Sequence, residues 1–221
     1  MIKAAIMQPT YLPWVGYFAL MDSVDIFVIL DSVQFSKRSW QQRNQIKTKF
    51  GAKWLTVPVI SKGKRNQLIE DVNIDYSGKF PKNHINILEL NYKKSPFFNE
   101  YSDEVFKLIS ENKGSLSVLT IDLILLFREL LNIKTEIRFS SELSFEGSKD
   151  QMLSDICNTL GVNEYLSPLG SKEYLYDSES FKKFNIAVKY FQYNHPHYQQ
   201  LNGEFVPYMS IVDLLFNNGK E

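Results

Sequence analysis

Cysteine occurs once in the 221 residues, at Cys157, and histidine three times, at His84, His195 and His197. A single cysteine excludes an intrachain disulfide and the zinc arrangements that need several thiolates. The pair at 195 and 197 has no third ligand that the sequence names, so no metal centre is assigned. Long apolar runs are missing as well. The longest, residues 123–127, is far short of a membrane span, and no membrane insertion is expected. The opening residues lack the basic, apolar and small-residue layout of a signal peptide, so the expected location is cytoplasmic. Charge of one sign is absent overall, because 25 basic and 25 acidic residues cancel. That balance argues against a general nucleic-acid coat protein. Acids are absent locally too: positions 32–69 hold none, against nine basic residues, Lys37, Arg38, Arg43, Lys47, Lys49, Lys53, Lys62, Lys64 and Arg65.

What is present reads as an α/β chain. Two short apolar runs, 3–7 and 26–30, have the character of strands buried on both faces, and 14–23 between them has the length and composition of a crossover helix. This is a βαβ unit, and in such units ligands sit outside the carboxyl ends of the strands, here around 8–16 and 31–34. Residues 40–48 and 53–59 read as a hairpin about Phe50-Gly51-Ala52. Alternation then sets Gln41, Arg43, Gln45 and Lys47 on one polar, cationic face. Residues 68–74 suggest another short strand. Helical spacing marks 80–92, 99–110 and 115–131, with breaks at Ser95-Pro96 and Lys113-Gly114. Strands are expected at 134–139, 164–166 and 186–193, and helices at 149–160, stopped at Gly161, at 181–184 and at 210–216. We expect a single α/β domain over 1–221, a Rossmann-like, mostly parallel sheet with a β-hairpin and a central helical insert at about 79–132.

The acid-free stretch follows the second strand, where it can meet an anionic ligand or serve as a solvated hairpin. Arg38, Arg43 and Lys47, set among Gln34, Trp40 and Asn44, are the favoured contacts. His195 and His197 follow a strand and are the best available general bases; a surface or hydrogen-bonded role is the plain alternative. Asp31, directly after the second strand, is the best-placed carboxylate. Asp213 and Asn217 stand one helical turn apart and either address one site or form a capping and solvent face, the simpler reading. Cys157 shares a helix side with Leu153, Ile156 and Leu160 and is expected to be buried and inert. His84, within a helix, is read as structural.

Trp14-Val15-Gly16-Tyr17 occupies the place of the His-x-Gly-His signature of Rossmann-like nucleotidyltransferases, with both histidines replaced. Neither an indole nor a phenol substitutes for a cation on a transferring phosphate, which disfavours nucleotidyl transfer. Trp14 and Tyr17 can instead pack the first helix, with Gly16 permitting close approach.

Several ordered segments together resemble the WbqC-like family. They are Met7 to Phe18 (Met-Gln-Pro-Thr-Tyr-Leu-Pro-Trp-x-Gly-Tyr-Phe), Asp31-Ser32-Val33-Gln34-Phe35, Arg38-Ser39-Trp40-Gln41-Gln42-Arg43-Asn44 and Trp54-Leu55-Thr56-Val57-Pro58-Val59. Tyr165-Leu166-Ser167, His195-Pro196-His197-Tyr198 and Ser210-Ile211-Val212-Asp213-Leu214-Leu215-Phe216-Asn217 continue the pattern. The resemblance implies a role in bacterial O-antigen and other surface-polysaccharide biosynthesis, with transfer of glycine or a similar small acyl group onto a nucleotide-linked sugar. On the matching residues, Gln8, Tyr11, Trp14, Gly16 and Tyr17 would form one wall. Asp31, Gln34, Arg38, Arg43, Asn44 and Lys47 would form a second, and His195, His197, Asp213 and Asn217 would come from the C-terminal part. An anionic substrate is implied, either a nucleotide-sugar or an acyl donor activated as adenylate, thioester or aminoacyl-tRNA. No cofactor and no oligomeric state is assigned. A non-catalytic module that binds a nucleotide-sugar or RNA in the same pathway is the competing class.

Overall fold

The computed structural model describes residues 1–64, 66–112, 114–175 and 177–220. Arg65 of the basic stretch and Lys113 of the expected helix break lie outside the described residues. The chain divides into two compact units, one of residues 1–8, 17–32 and 133–194, the other of 9–16, 33–132 and 195–221.

The first unit is built on a parallel sheet. Its strands are β1 (Lys3–Met7), β2 (Ile26–Ile29), β5 (Glu136–Phe139), β6 (Glu164–Pro168) and β7 (Ala187–Phe191), in spatial order β5-β2-β1-β6-β7. All four pairings are parallel, with Ala4 opposite Ile26 and Ala4 also opposite Tyr165. The chain moves outward from β1 through β2 to β5, then returns to the other side of β1 at β6. That reversal is the switch point of a doubly wound Rossmann-like sheet. Ala4, Ala5, Ile6 and all of β2 are buried, which is why these central strands read as unbroken apolar runs. The outer strand β5 alternates in exposure instead. The helix α1 (Val15–Asp22) joins β1 to β2, and α5 (Lys149–Thr159), α6 (Lys172–Leu175) and α7 (Glu179–Lys183) complete the unit. Gly161, at φ 67°, closes the turn after α5 in the left-handed conformation. Cys157 is fully buried, and burial pushes its thiol up to about 12, as an inert core residue requires.

The second unit holds the antiparallel hairpin β3 (Arg43–Thr48) and β4 (Gly51–Thr56) with α2 (Lys82–Tyr92), α3 (Phe98–Glu111), α4 (Leu116–Leu130) and α8 (Ile211–Asn218). Register runs from Arg43 opposite Thr56 to Thr48 opposite Gly51, so the turn is Lys49-Phe50, one step earlier than expected. Gly51 begins β4 at φ 93°, a conformation that favours glycine. The strand expected at 68–74 is instead a 3₁₀ turn, Ile69–Asp71, flanked by isolated bridges from Gln34 to Leu68 and from Val59 to Ile74. Its apolar residues Ile69, Val72 and Ile74 are buried by that turn rather than by pairing in a ladder.

Candidate functional site

Three of the expected site residues, Gln8, Tyr17 and Asp31, fall in the first unit, and the others fall in the second. In the first unit, Tyr17 packs edge-on against Phe18 and Phe27 with ring centroids 5.5 and 5.2 Å away, and its hydroxyl donates to the Gln8 carbonyl at 3.4 Å. It is a core residue whose phenol is held well above its ordinary pKa by burial. Gln8 is exposed at the end of β1. Asp31 is buried and hydrogen-bonded through both oxygens. Its Oδ1 accepts from Ser140 Oγ and the Ser141 N–H, both at 2.9 Å, and its Oδ2 from Ser141 Oγ at 2.8 Å. The carboxylate fastens the carboxyl ends of β2 and β5 together.

In the second unit, the segment 9–16 is fixed from several sides. Leu12 is fully buried at φ 46°, an uncommon conformation for leucine, and its carbonyl accepts from Asn44 Nδ2 at 2.7 Å. The N–H groups of Ser210 and Ile211 donate to the carbonyls of Gln45 and Pro13 at 2.8 and 2.7 Å. Tyr11 is buried, with its hydroxyl 2.9 Å from His84 Nδ1. Burial lowers the His84 pKa to about 4, so the ring is neutral and accepts this proton while bonding the Thr56 backbone. Trp14 lies across Gly16: a Cβ there would stand 2.1 Å from the indole Cη2. Gly16 therefore makes room for the Trp14 ring, a closer and more specific need than helix packing.

The indole faces an aromatic group on residues 195–208. Trp14 stacks near-parallel with His195 at 6.4 Å and meets Tyr208 edge-on at 5.6 Å. His195 is 5.6 Å from Phe205, and Phe205 is 4.3 Å from His197. Both ring nitrogens of His195 are engaged by backbone: Nδ1 lies 2.8 Å from the Pro196 carbonyl and Nε2 accepts from the Tyr208 N–H at 3.0 Å. This fits a neutral ring protonated on Nδ1. His197 is exposed and makes no hydrogen bond among the described residues.

Asp213 holds this segment in place. Residues 192–210 form no helix or strand, and a stretch of that length needs side-chain anchors. Asp213 is completely buried; its Oδ1 accepts from Tyr92 at 2.7 Å and its Oδ2 from Tyr198 at 2.9 Å and from Gln200 Nε2 at 2.6 Å. Gln200 in turn bonds both backbone groups of Val206. Lys47, only 2% exposed, donates through Nζ to the Gly203 carbonyl at 3.2 Å and to that of Glu204. Burial raises the Asp213 carboxyl pKa, while its three hydrogen bonds and the Lys47 charge pull the other way. Three donors and no acceptor around it suit the carboxylate form. Asn217 Nδ2 donates to the Asp213 carbonyl at 2.7 Å and its Oδ1 accepts from Ser95 at 3.0 Å. The solvent face expected for Asp213 and Asn217 is thus corrected to an interior one, because α8 is buried on nearly every side.

The cationic face expected of β3 is also rearranged. Lys47 is interior, and Arg43 lies over the Trp54 ring at 4.3 Å, with its buried Nε lacking a hydrogen bond among the described residues. Arg38 is exposed at φ 62°, its N–H donating to Gln42 Oε1 at 2.9 Å, and Gln34 is exposed beside its bridge to Leu68. The lysines that line an open cleft are Lys49 and Lys53 of the hairpin with Lys94 after α2. They share about 320 Å³ with Thr48, Asn91 and Asn202, and no acid lines it. Lys94 lay outside the acid-free stretch, and its only sequence signal was a Lys-Lys pair ending a helix. No group of three or more His, Cys, Asp or Glu among the described residues could hold a metal, and no helix among them is long and apolar enough to cross a membrane.

A Rossmann-like parallel sheet with a separate hairpin-and-helix unit that presents a fixed aromatic and histidine segment defines the class of protein. The WbqC-like protein family model matches residues 8–221, and the chain belongs to that family. It is 38% identical over 223 residues to the uncharacterized protein Rv1507c of Mycobacterium tuberculosis (strain ATCC 25618 / H37Rv), covering 100% of this chain and 96% of the relative. No solved structure matches the chain significantly.

Proposed function

We propose that the protein is a cytoplasmic transferase of bacterial surface-polysaccharide biosynthesis that moves glycine or another small acyl group onto a nucleotide-linked sugar. The observation that carries this reading is His197: an exposed imidazole with no hydrogen bond among the described residues, set against Phe205 on a segment tied down by Asp213 and Lys47. Acyl transfer to an amine or hydroxyl needs a base for the departing proton and donors for the oxygen that gains charge. His197 takes the proton. The cleft of Lys49, Lys53 and Lys94 suits the phosphates of an activated donor or of the nucleotide. Trp14 and His195, near-parallel, supply an aromatic wall with Tyr208 edge-on to both, and Asp213 positions the segment without touching substrate.

His195 and Asp31 favour a second reading. Both were candidates for chemistry, and both have their polar atoms engaged within the fold. A module that binds a nucleotide-sugar without transforming it would need only the lysine cleft and the aromatic wall. Replacing His195 and His197 separately by Gln, while following product formation, separates the two. The transferase reading expects His197→Gln to lose about a hundredfold or more in turnover with binding retained. Undiminished turnover in His197→Gln would remove the catalytic role.

A further inference from the structure

A cleft of about 770 Å³ opens in the first unit beside the carboxyl ends of β2 and β5, on the ligand-binding edge of the sheet but to one side of the switch point at β1. Six serines line it, and the direction of their protons decides what it can bind. Ser140 and Ser141 donate theirs to Asp31. Ser32 Oγ is 2.8 Å from Ser140 Oγ, and because the Ser140 proton is already given to Asp31, Ser32 is the donor of that pair. Ser154 donates to the Gln151 carbonyl at 2.9 Å and Ser180 to Asp150 at 3.0 Å. Only Ser144 is without such a bond among the described residues. The backbone donors point inward as well: the N–H groups of Ser32, Ser141 and Glu146 go to Ser140, Asp31 and Asp155. Ser140 and Ser154 are fully buried, so the hydroxyls that reach the cleft with their protons spent are those of Ser32, Ser141 and Ser180, and these three offer it lone pairs.

The ionised side chains follow the same pattern. Glu146 and Asp155 line the cleft against a single cation, Lys183, so its balance is one negative charge. A phosphate would meet Lys183 and Ser144 as its donors against two carboxylates and serine protons already spent. A ligand rich in hydroxyl protons meets a row of acceptors, and an ammonium meets Glu146 and Asp155. Phe145 and Phe184, both half-buried, give the apolar surface on which the C–H face of a pyranose rests. We propose that this cleft is a binding site for an amino sugar, a hexosamine with its ammonium toward Glu146 and Asp155. Asp31 acts there as a positioning residue that turns the Ser141 proton, and through Ser140 that of Ser32, away from the ligand. The proposal concerns binding within the first unit and stands whether or not His197 is a base.

The test is titration of the full chain with glucosamine, glucose and inorganic phosphate, observed by protein NMR and calorimetry. Glucosamine should bind about tenfold more tightly than glucose, the value of one charge-assisted contact, and phosphate should neither bind nor compete at this cleft. Glu146 is exposed, so Glu146→Gln leaves the fold intact and should erase the preference for glucosamine while glucose binding persists. Ser180→Ala should weaken both sugars. Phosphate binding more tightly than glucosamine at the cleft would overturn the proposal. Equal affinity for the two sugars, an unchanged preference in Glu146→Gln, or no sugar binding at tens of millimolar would do so as well.

Discussion

Gly16→Ala tests the packing of Trp14 against the segment that carries the histidines. The new Cβ would stand 2.1 Å from indole Cη2, 2.4 Å from Cζ3 and 2.5 Å from Cζ2. Carbon atoms settle at about 3.5–4.0 Å, so the ring must retreat by more than about 1 Å. Retreat disturbs its stack on His195 and its edge contact with Tyr208, each worth about 0.5–1.5 kcal/mol, and forces strain of about 1–3 kcal/mol on a packed site. Alanine gains about 1 kcal/mol over glycine within α1. The clash wins, and the net loss is about 1–5 kcal/mol, or roughly 3–15 °C in a chain of this length. Thermal unfolding of Gly16→Ala in the wild-type and Trp14→Ala backgrounds isolates the cause. The substitution should destabilise the first and be neutral or stabilising in the second. Equal destabilisation in both would refute the account of Gly16.

Asp213→Asn keeps the shape but sets an amide nitrogen against hydroxyl and amide donors and strips buried Lys47 of its counter-charge. We expect a loss of about 3 kcal/mol and faster hydrogen exchange across 198–206, with exchange in β1 and β2 unaltered; unchanged exchange in 198–206 would contradict its anchoring role. His84 titrates at about 4 when folded against 6.5 for the free ring. The unfolded chain therefore binds the extra proton, and stability is lost as pH falls through the window from about 6.5 to about 4, by up to about 3 kcal/mol. Urea midpoints across that window should fall less steeply in His84→Gln than in the wild type, and parallel curves would sink the assignment. Lys49→Glu with Lys53→Glu should weaken nucleotide-sugar binding at least tenfold and flatten its salt dependence; a salt-insensitive wild type would move the anion site elsewhere.

The parts legible in the sequence were those set by local pattern. β1 and β2 are apolar without alternation because both their faces are covered, and Gly161 marked the end of α5 because a left-handed residue is needed there. Residues 68–74 misled because buried apolar side chains spaced along a 3₁₀ turn look like a short strand. Asp213 and Asn217 looked like a solvent face because only tertiary packing covers the polar side of α8. Lys47 could not be recognised as interior, since its acceptors are the carbonyls of Gly203 and Glu204. The lysine cleft and the serine cleft are each assembled from distant segments with no common motif. His195 and His197 were legible as a pair, but the Pro196 carbonyl and the Tyr208 N–H that distinguish them are visible only in three dimensions.

The decisive experiment follows labelled glycine, supplied as adenylate, thioester or aminoacyl-tRNA, onto nucleotide-linked sugars with the wild-type protein and with His197→Gln. Label should appear on the sugar with at least one donor and fall about a hundredfold or more in the variant. No label with any of the three donors, or equal transfer by the variant, would contradict the transferase reading.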